Sequence, residues 1–410
     1  VTRDDGNATE HGPTGDHREV TSLATAFDAI TEDDLRRAGG LKWTAYPEAT
    51  GAFVAEMDFG VAPEIRDALH TWVDDGLFGY PPAGLTGRMT QACADWQRDA
   101  YGWDLPTERV RPLADVLSGL SATIDLFTAP GSAIVLPTPA YMPFLTIPAA
   151  HDREVIQVPM LRDDAGWHLD LDGIDRAFAA GGGLLVFCNP HNPIGKVYTR
   201  DEMLAVAEVV ARHGARVFSD EIHSPLVYPG ASHVPYASVS DAAASHTITA
   251  TSASKAWNLP GLKCAQLILS SESDAEVWSA SRRAQSAEHG ASNPGLVANV
   301  AAYDDARGWL ADVIGYLDGN RRMFADLVAE HLPGAVYLPP EGTYLAWLDC
   351  RELGLGDHPT QFFLEQARVA ATDGALCGDV GAGCVRFNLA TPRPILRRAV
   401  ERMGQALAAR

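Results

Sequence analysis

Between residues 183 and 269, short apolar runs alternate with amphipathic helical stretches, and this rhythm constrains the fold more than any other feature of the chain. Residues 183–188 (GLLVFC) read as a buried strand that ends at Asn-Pro. Residues 201–213 place Met203, Leu204, Val206, Val209 and Val210 on one face of a helix, and Gly214 stops it. Residues 215–218, 246–250 and 264–269 are further strands, the last two flanking Lys255. Strand, helix and strand in this order predict an α/β fold with a mostly parallel central sheet flanked by helices.

The texture changes after about residue 295. Residues 296–332 form one long helical stretch with a break, followed by a Pro-Pro turn, a strand over 344–348, a helix over 360–369, a strand over 384–389 and a closing helix over 394–409. The expected organisation is a flexible tail (1–20), an N-terminal segment (21–60) packing with a small C-terminal α+β domain (296–410), and a large domain (61–295) between them.

Composition narrows the partners. A net charge of −21 argues against nucleic acid or an anionic membrane surface, both of which need a basic face. No run approaches the ~18 apolar residues of a membrane span. The polar stretch from Val1 to Glu19 has no apolar secretion core, so a cytoplasmic location is expected. The six cysteines form no C-x-x-C pair and show no metal-ligand spacing; they read as free thiols filling the core, and no metal is expected. Of the 32 basic residues only Lys42, Lys196, Lys255 and Lys263 are lysines, so lysine chemistry has four candidates. Lys42 reads as structural, and Lys196, after a turn glycine, as facing solvent or a neighbouring chain.

Open α/β sheets collect ligands at the carboxyl ends of their strands. Three such ends carry polar groups: NPHNPIG (189–195), SDEIH (219–223) and TSASK (251–255). Asn192, Asp220 and Lys255 stand 28 and then 35 residues apart. An amide, a carboxylate and a lysine in that order suit pyridoxal phosphate. The lysine bonds the aldehyde, the carboxylate keeps the pyridine nitrogen protonated, and the amide holds the phenolic oxygen. A helix N-terminus, a hydroxyl and a cation would hold the phosphate.

With these stretches, AEMDF (55–59), FGY (78–80), TPAYMPF (138–144), SASKAWNLPGLK (252–263), GTYLAWLDCR (342–351) and VRFNLATPR (385–393) make the chain resemble the fold-type I pyridoxal-phosphate enzymes of the class I/II aminotransferase superfamily. Within them it is most similar to the cystathionine β-lyase-like C–S lyases. The resemblance spans residues 42–403. It implies that Lys255 is the covalent and catalytic lysine and that Asp220 pairs with the pyridine nitrogen. Asn192 and His223 would hold the phenolic oxygen, with Tyr141 stacked on one ring face and Ile222 packed on the other. Ser252, Lys263 and the backbone N–H groups of Val116 and Leu117 would bind the phosphate, joined by Tyr80 of the neighbouring subunit of a homodimer. Arg386 would grip the substrate α-carboxylate, with Asn192 beside it.

The implied activity is cleavage of L-cystathionine or another cysteine S-conjugate to a thiol, pyruvate and ammonia. The alternative is an aminotransferase, or a related enzyme of secondary metabolism acting on a cysteine conjugate. Three positions depart from the branch pattern: Glu56 in AEMDF for the usual ADMDF, Asp115 where a glycine usually precedes the phosphate-binding helix, and Met142 after Tyr141. Asn192–Pro193 and Thr138–Pro139 are expected to be cis.

Overall fold

A computed structural model describes residues 23–163 and 166–410; the tail expected over 1–20 lies outside the described residues. Seven strands form the larger sheet, in the spatial order Val110–Leu113, Ala265–Leu269, Thr247–Thr251, Arg216–Asp220, Gly182–Cys188, Ala133–Thr138, Val155–Pro159. From Thr247–Thr251 to Val155–Pro159 the neighbours run parallel. Helices on both faces bury these central strands, which is why they read as apolar runs without alternation.

Ala265–Leu269 reverses the pattern, pairing antiparallel with both of its neighbours. Its link to Thr247–Thr251 holds a single 3₁₀ turn, Pro260–Leu262. A parallel return usually needs a crossover helix, and this link contains none, in keeping with the antiparallel return. That link is the segment carrying Lys255 and Lys263, so both lysines stay close to the sheet's edge.

Arg200–His213 shows how closely local chemistry sets an element. Thr199 and Glu202 form a reciprocal capping box at its start, and Gly214 closes it at φ +59°. Lys196 lies just before this helix. Its Nζ pairs with Glu202 at 2.9 Å and sits 5.4 Å from the centre of the Tyr198 ring, so it does not project into solvent as the sequence suggested. The pull is local: a carboxylate in the first helical turn lies within reach of a lysine that follows a tight turn.

The smaller sheet has the order Thr50–Ala52, Val369–Asp373, Cys384–Asn388, Leu345–Asp349, Val336–Tyr337. Thr50–Ala52 pairs parallel with Val369–Asp373, placing Thr50 opposite Val369. The helix expected to run to residue 369 stops at Ala367; Arg368 turns left-handed at φ +55° and the chain enters this strand. β-branched Val369 fits a pleated surface better than a last helical turn. The long C-terminal helical stretch divides into Asn293–Asp304 and Arg307–His331. At the break the Ala306 carbonyl accepts from the Trp257 indole at 3.0 Å. Tyr316 and Leu317 of the second helix pack in a core with Phe27 and Phe59, whereas Phe324 and Leu327 pack on the smaller sheet.

Gly195 joins the two sheets. It has φ +70°, and a Cβ there would lie 2.2 Å from Pro340 Cβ. Its carbonyl accepts the N–H groups of Glu341 and Gly342, both at 2.9 Å. Thr138–Pro139 and Asn192–Pro193 are cis as expected, and Asn189–Pro190 is cis as well.

Candidate active site

One cavity lies at the carboxyl ends of the central strands, and ten of the residues singled out in the sequence line it: Val116, Leu117, Tyr141, Asn192, Asp220, Ile222, His223, Ser252, Lys255 and Lys263. Asp220 ends the strand Arg216–Asp220 and is buried; its Oδ1 accepts the Ile222 N–H at 3.0 Å. Burial pushes its carboxyl up to about 7, with a further push from Glu221; the Ile222 N–H and Lys255 pull the other way. Glu221 is held apart from the cavity by His233 Nε2 at 3.1 Å, Ser219 Oγ at 2.9 Å and the Tyr236 N–H at 3.0 Å. Two adjacent carboxylates thus occupy separate environments.

Lys255 follows the strand Thr247–Thr251 and a turn of small hydroxyl residues. Its Nζ donates to the Ala55 carbonyl at 2.9 Å, and the Tyr344 hydroxyl donates to the same oxygen at 2.9 Å. Burial lowers the amine to about 8; Arg386 adds to the drop, while Glu56 and Asp220 oppose it. His223 is buried, and among the described residues its Nδ1 has no hydrogen-bond partner. Burial, Lys255 and Arg386 push it down to about 3, so its imidazole is neutral. A neutral ring that lines the cavity and carries an unmatched buried nitrogen suits a ligand, because an unpaired buried polar atom is costly.

The far end of the cavity is built for an anion. Val116 and Leu117 open the helix Val116–Phe127, where the first backbone N–H groups have no partner within the helix. Ser252 Oγ donates to the Cys264 carbonyl at 2.6 Å and accepts the Ser254 N–H at 3.0 Å. Asp115 neither turns away from this end nor stands free in it. Its Oδ1 caps the helix, accepting the Ser118 N–H at 2.9 Å and Ser118 Oγ at 2.7 Å, and its Oδ2 pairs with Lys263 Nζ at 3.0 Å.

Arg386 lies in an adjoining hollow that opens from Lys255. It is buried on the strand Cys384–Asn388 and donates to Asn192 Oδ1 at 3.3 Å, the Phe53 carbonyl at 2.9 Å and Thr372 Oγ1 at 3.1 Å. The guanidinium therefore ties the Asn192 loop of the larger sheet to the smaller one. Tyr80 stands apart from the cavity, 97% exposed, beside Phe78 and Asn293.

Sequence reasoning gave no role to the carbonyls of Phe53 and Ala55, which hold Arg386 and Lys255. The AEMDF stretch was the available signal, but a backbone acceptor carries no residue code. Lys42, read as structural, is buried 2.8 Å from Asp58, whose other oxygen accepts from the Trp43 indole at 2.8 Å; this anchors the same segment.

The cavity thus joins a helix N-terminus with unpaired N–H groups, a central amine of lowered basicity and a carboxylate, with a guanidinium in the adjoining hollow. Comparison with known proteins gives this arrangement a family. The chain is 39% identical to a cystathionine beta-lyase of Corynebacterium glutamicum, covering 92% of this chain and 98% of that one. A solved structure from Corynebacterium diphtheriae, assigned as a PLP-dependent beta-cystathionase, is 39% identical with a TM-score of 0.87, covering 92% of this chain and 98% of that one. Cystalysin from Treponema denticola, solved with a pyridoxal 5'-phosphate cofactor, is 28% identical with a TM-score of 0.85, covering 93% and 98%. Residues 54–403 match the aminotransferase class I and II family, and the chain belongs to it.

Proposed function

We propose that the protein is a pyridoxal-phosphate-dependent C–S β-lyase that converts a cysteine S-conjugate and water to a thiol, pyruvate and ammonia. The observation that carries this reading is the cavity in which Lys255, Asp220 and the Val116 helix end converge, in a chain 39% identical to a cystathionine beta-lyase. The residues suit the cofactor: His223 offers an unmatched buried nitrogen, and the helix end offers unpaired N–H groups.

When bound, the cofactor supplies an aldehyde and a ring that draws electrons from the substrate's α-carbon. Lys255 Nζ would hold the cofactor through its aldehyde, with loss of water, and, once released by substrate, would take the Cα proton. Asp220 holds a proton at the pyridine nitrogen. Asn192 and His223 would hold the phenolic oxygen, and Tyr141 and Ile222 would pack against the ring. Val116, Leu117, Ser252 and Lys263 hold the phosphate. Arg386 orients the α-carboxylate through its planar fork.

The assembly we propose is a homodimer in which Tyr80 reaches the neighbouring subunit's phosphate. Its near-complete exposure, next to exposed Phe78 and Leu77, supports this. A cytoplasmic location suits six buried, unpaired cysteines. Among the described residues no helix is long and apolar enough to cross a membrane.

Family membership also favours a second reading, transamination, which uses the same residues. Pyruvate release from cysteine S-conjugates without added keto acid separates the two. The lyase reading expects release with stoichiometric thiol; amino-group transfer to a keto acid, with no thiol released, contradicts it.

A further inference from the structure

The hollow outside Lys255 and Arg386 has walls of a distinct chemistry. Tyr46 and Phe53 meet edge to face, with centroids 5.3 Å apart; Met142, Leu364 and Leu376 add to the apolar lining, which is interrupted by the neutral polar Thr360, Gln361 and Thr372. Tyr46 is 42% and Leu376 59% exposed, so large apolar groups stand at the rim with much of their surface uncovered. The lining's one carboxylate is Asp373, which accepts the Ala375 N–H at 3.1 Å and lies 2.7 Å from His358 Nδ1. The lining has two cations, Lys255 and Arg386. Both already have work: one bonds the cofactor, the other grips the α-carboxylate. Among the described residues of this wall, no third cation remains.

With the cofactor in the inner cavity, a substrate held by Arg386 and presented to Lys255 has only this hollow for its sulfur substituent. Resting on the lyase reading above, we propose that the hollow selects an uncharged apolar S-substituent, aryl or branched alkyl, seated against Phe53, Tyr46 and Leu376. The homocysteine half of L-cystathionine brings a second ammonium and a second carboxylate; Asp373, already engaged by His358 and the Ala375 N–H, faces the first, but the lining offers the carboxylate only neutral groups such as Thr360, Gln361 and Thr372 and no further cation. A carboxylate removed from water without a partner is strongly disfavoured, whereas an aromatic ring gains from the same burial.

The test compares S-benzyl-L-cysteine, S-methyl-L-cysteine and L-cystathionine on the holoenzyme, scored by pyruvate release. The expected kcat/KM for S-benzyl-L-cysteine exceeds that for L-cystathionine by about tenfold or more. Leu376→Arg, which places a cation at the rim, should move the ratio toward L-cystathionine, and Leu376→Ala should lower the S-benzyl to S-methyl ratio. Equal or preferred turnover of L-cystathionine by the unaltered enzyme overturns the assignment of the hollow and leaves the lyase reading standing. No pyruvate from any of the three sinks the lyase reading, and the assignment with it.

Discussion

The inner cavity and the outer hollow share Lys255 yet are built from different parts of the fold. The inner one is made of strand ends and one helix start, and the polar groups at the strand ends are buried: Asn192, Asp220, His223 and Ser252. The outer one is made of the 46–55 segment, one face of the helix Pro359–Ala367, and the turn after Val369–Asp373. Its distinguishing side chains are apolar and partly exposed. Strand ends in a packed sheet fix positions and shift proton affinities, so reaction chemistry sits there. Loops at the rim can change size and polarity without disturbing the sheet, so substrate choice sits there.

The sharpest way to break this division is at the shared residue. Lys255→Ala should lose more than the ~10²–10⁴-fold attributable to a general base alone, because the covalent tether goes as well. Turnover numbers measured on cofactor-saturated variant check this; a loss under tenfold would detach the chemistry from the inner cavity.

The outer wall rests on the Lys42–Asp58 pair, which pins the segment carrying Phe53 and Ala55. Asp58→Ala leaves a buried lysine unpaired and should cost about 3–5 kcal/mol of stability. Thermal unfolding reads the loss, and an unchanged melting temperature would show that this segment is held some other way.

At the boundary between the two regions, Arg386→Lys replaces a bidentate fork with a point charge. KM should rise about tenfold or more while bound cofactor per protomer stays near the unaltered value. A fall in cofactor content with KM unchanged would move Arg386 from the substrate side to the cofactor side.

Acidity gives a graded test of the inner environment. The Lys255 amine, lowered to about 8, attacks the aldehyde only when unprotonated, so loading of apoprotein should accelerate roughly tenfold per pH unit below that value and level off above it. A plateau reached only near the ordinary lysine range would mean that the amine is not desolvated.

The smallest effect lies in the phosphate end. Asp115 shares Lys263 with the incoming phosphate, and both side chains are partly exposed. Asp115→Asn keeps the helix cap and removes the competing charge, so pyridoxal phosphate should bind about two- to fivefold tighter, a change in the range of an exposed ion pair. Titration by absorbance checks it; weaker binding would make the carboxylate part of the phosphate site.

The sequence showed the inner cavity more clearly than the outer hollow, and the reason is physical. Asn192, Asp220 and Lys255 each follow a short apolar or β-branched run that reads as a strand, so their side chains were expected to gather at one sheet edge. The reversal of Ala265–Leu269 was not visible, because an apolar run carries no direction; its link to Thr247–Thr251 holds no crossover helix. The strand after Arg368 was hidden by a left-handed residue that is not glycine. The acceptors for Lys255 and Arg386 were hidden because they are carbonyls. Lys196 was read as outward for want of its partner, Glu202, which a capping box places beside it.

The central claim is that Lys255, alone of the four lysines, carries the cofactor. Borohydride reduction of the holoenzyme followed by peptide mapping tests it directly. The expected result is a pyridoxyl label on Lys255 and on no other lysine. A label on Lys42, Lys196 or Lys263, or no label at all, would contradict it.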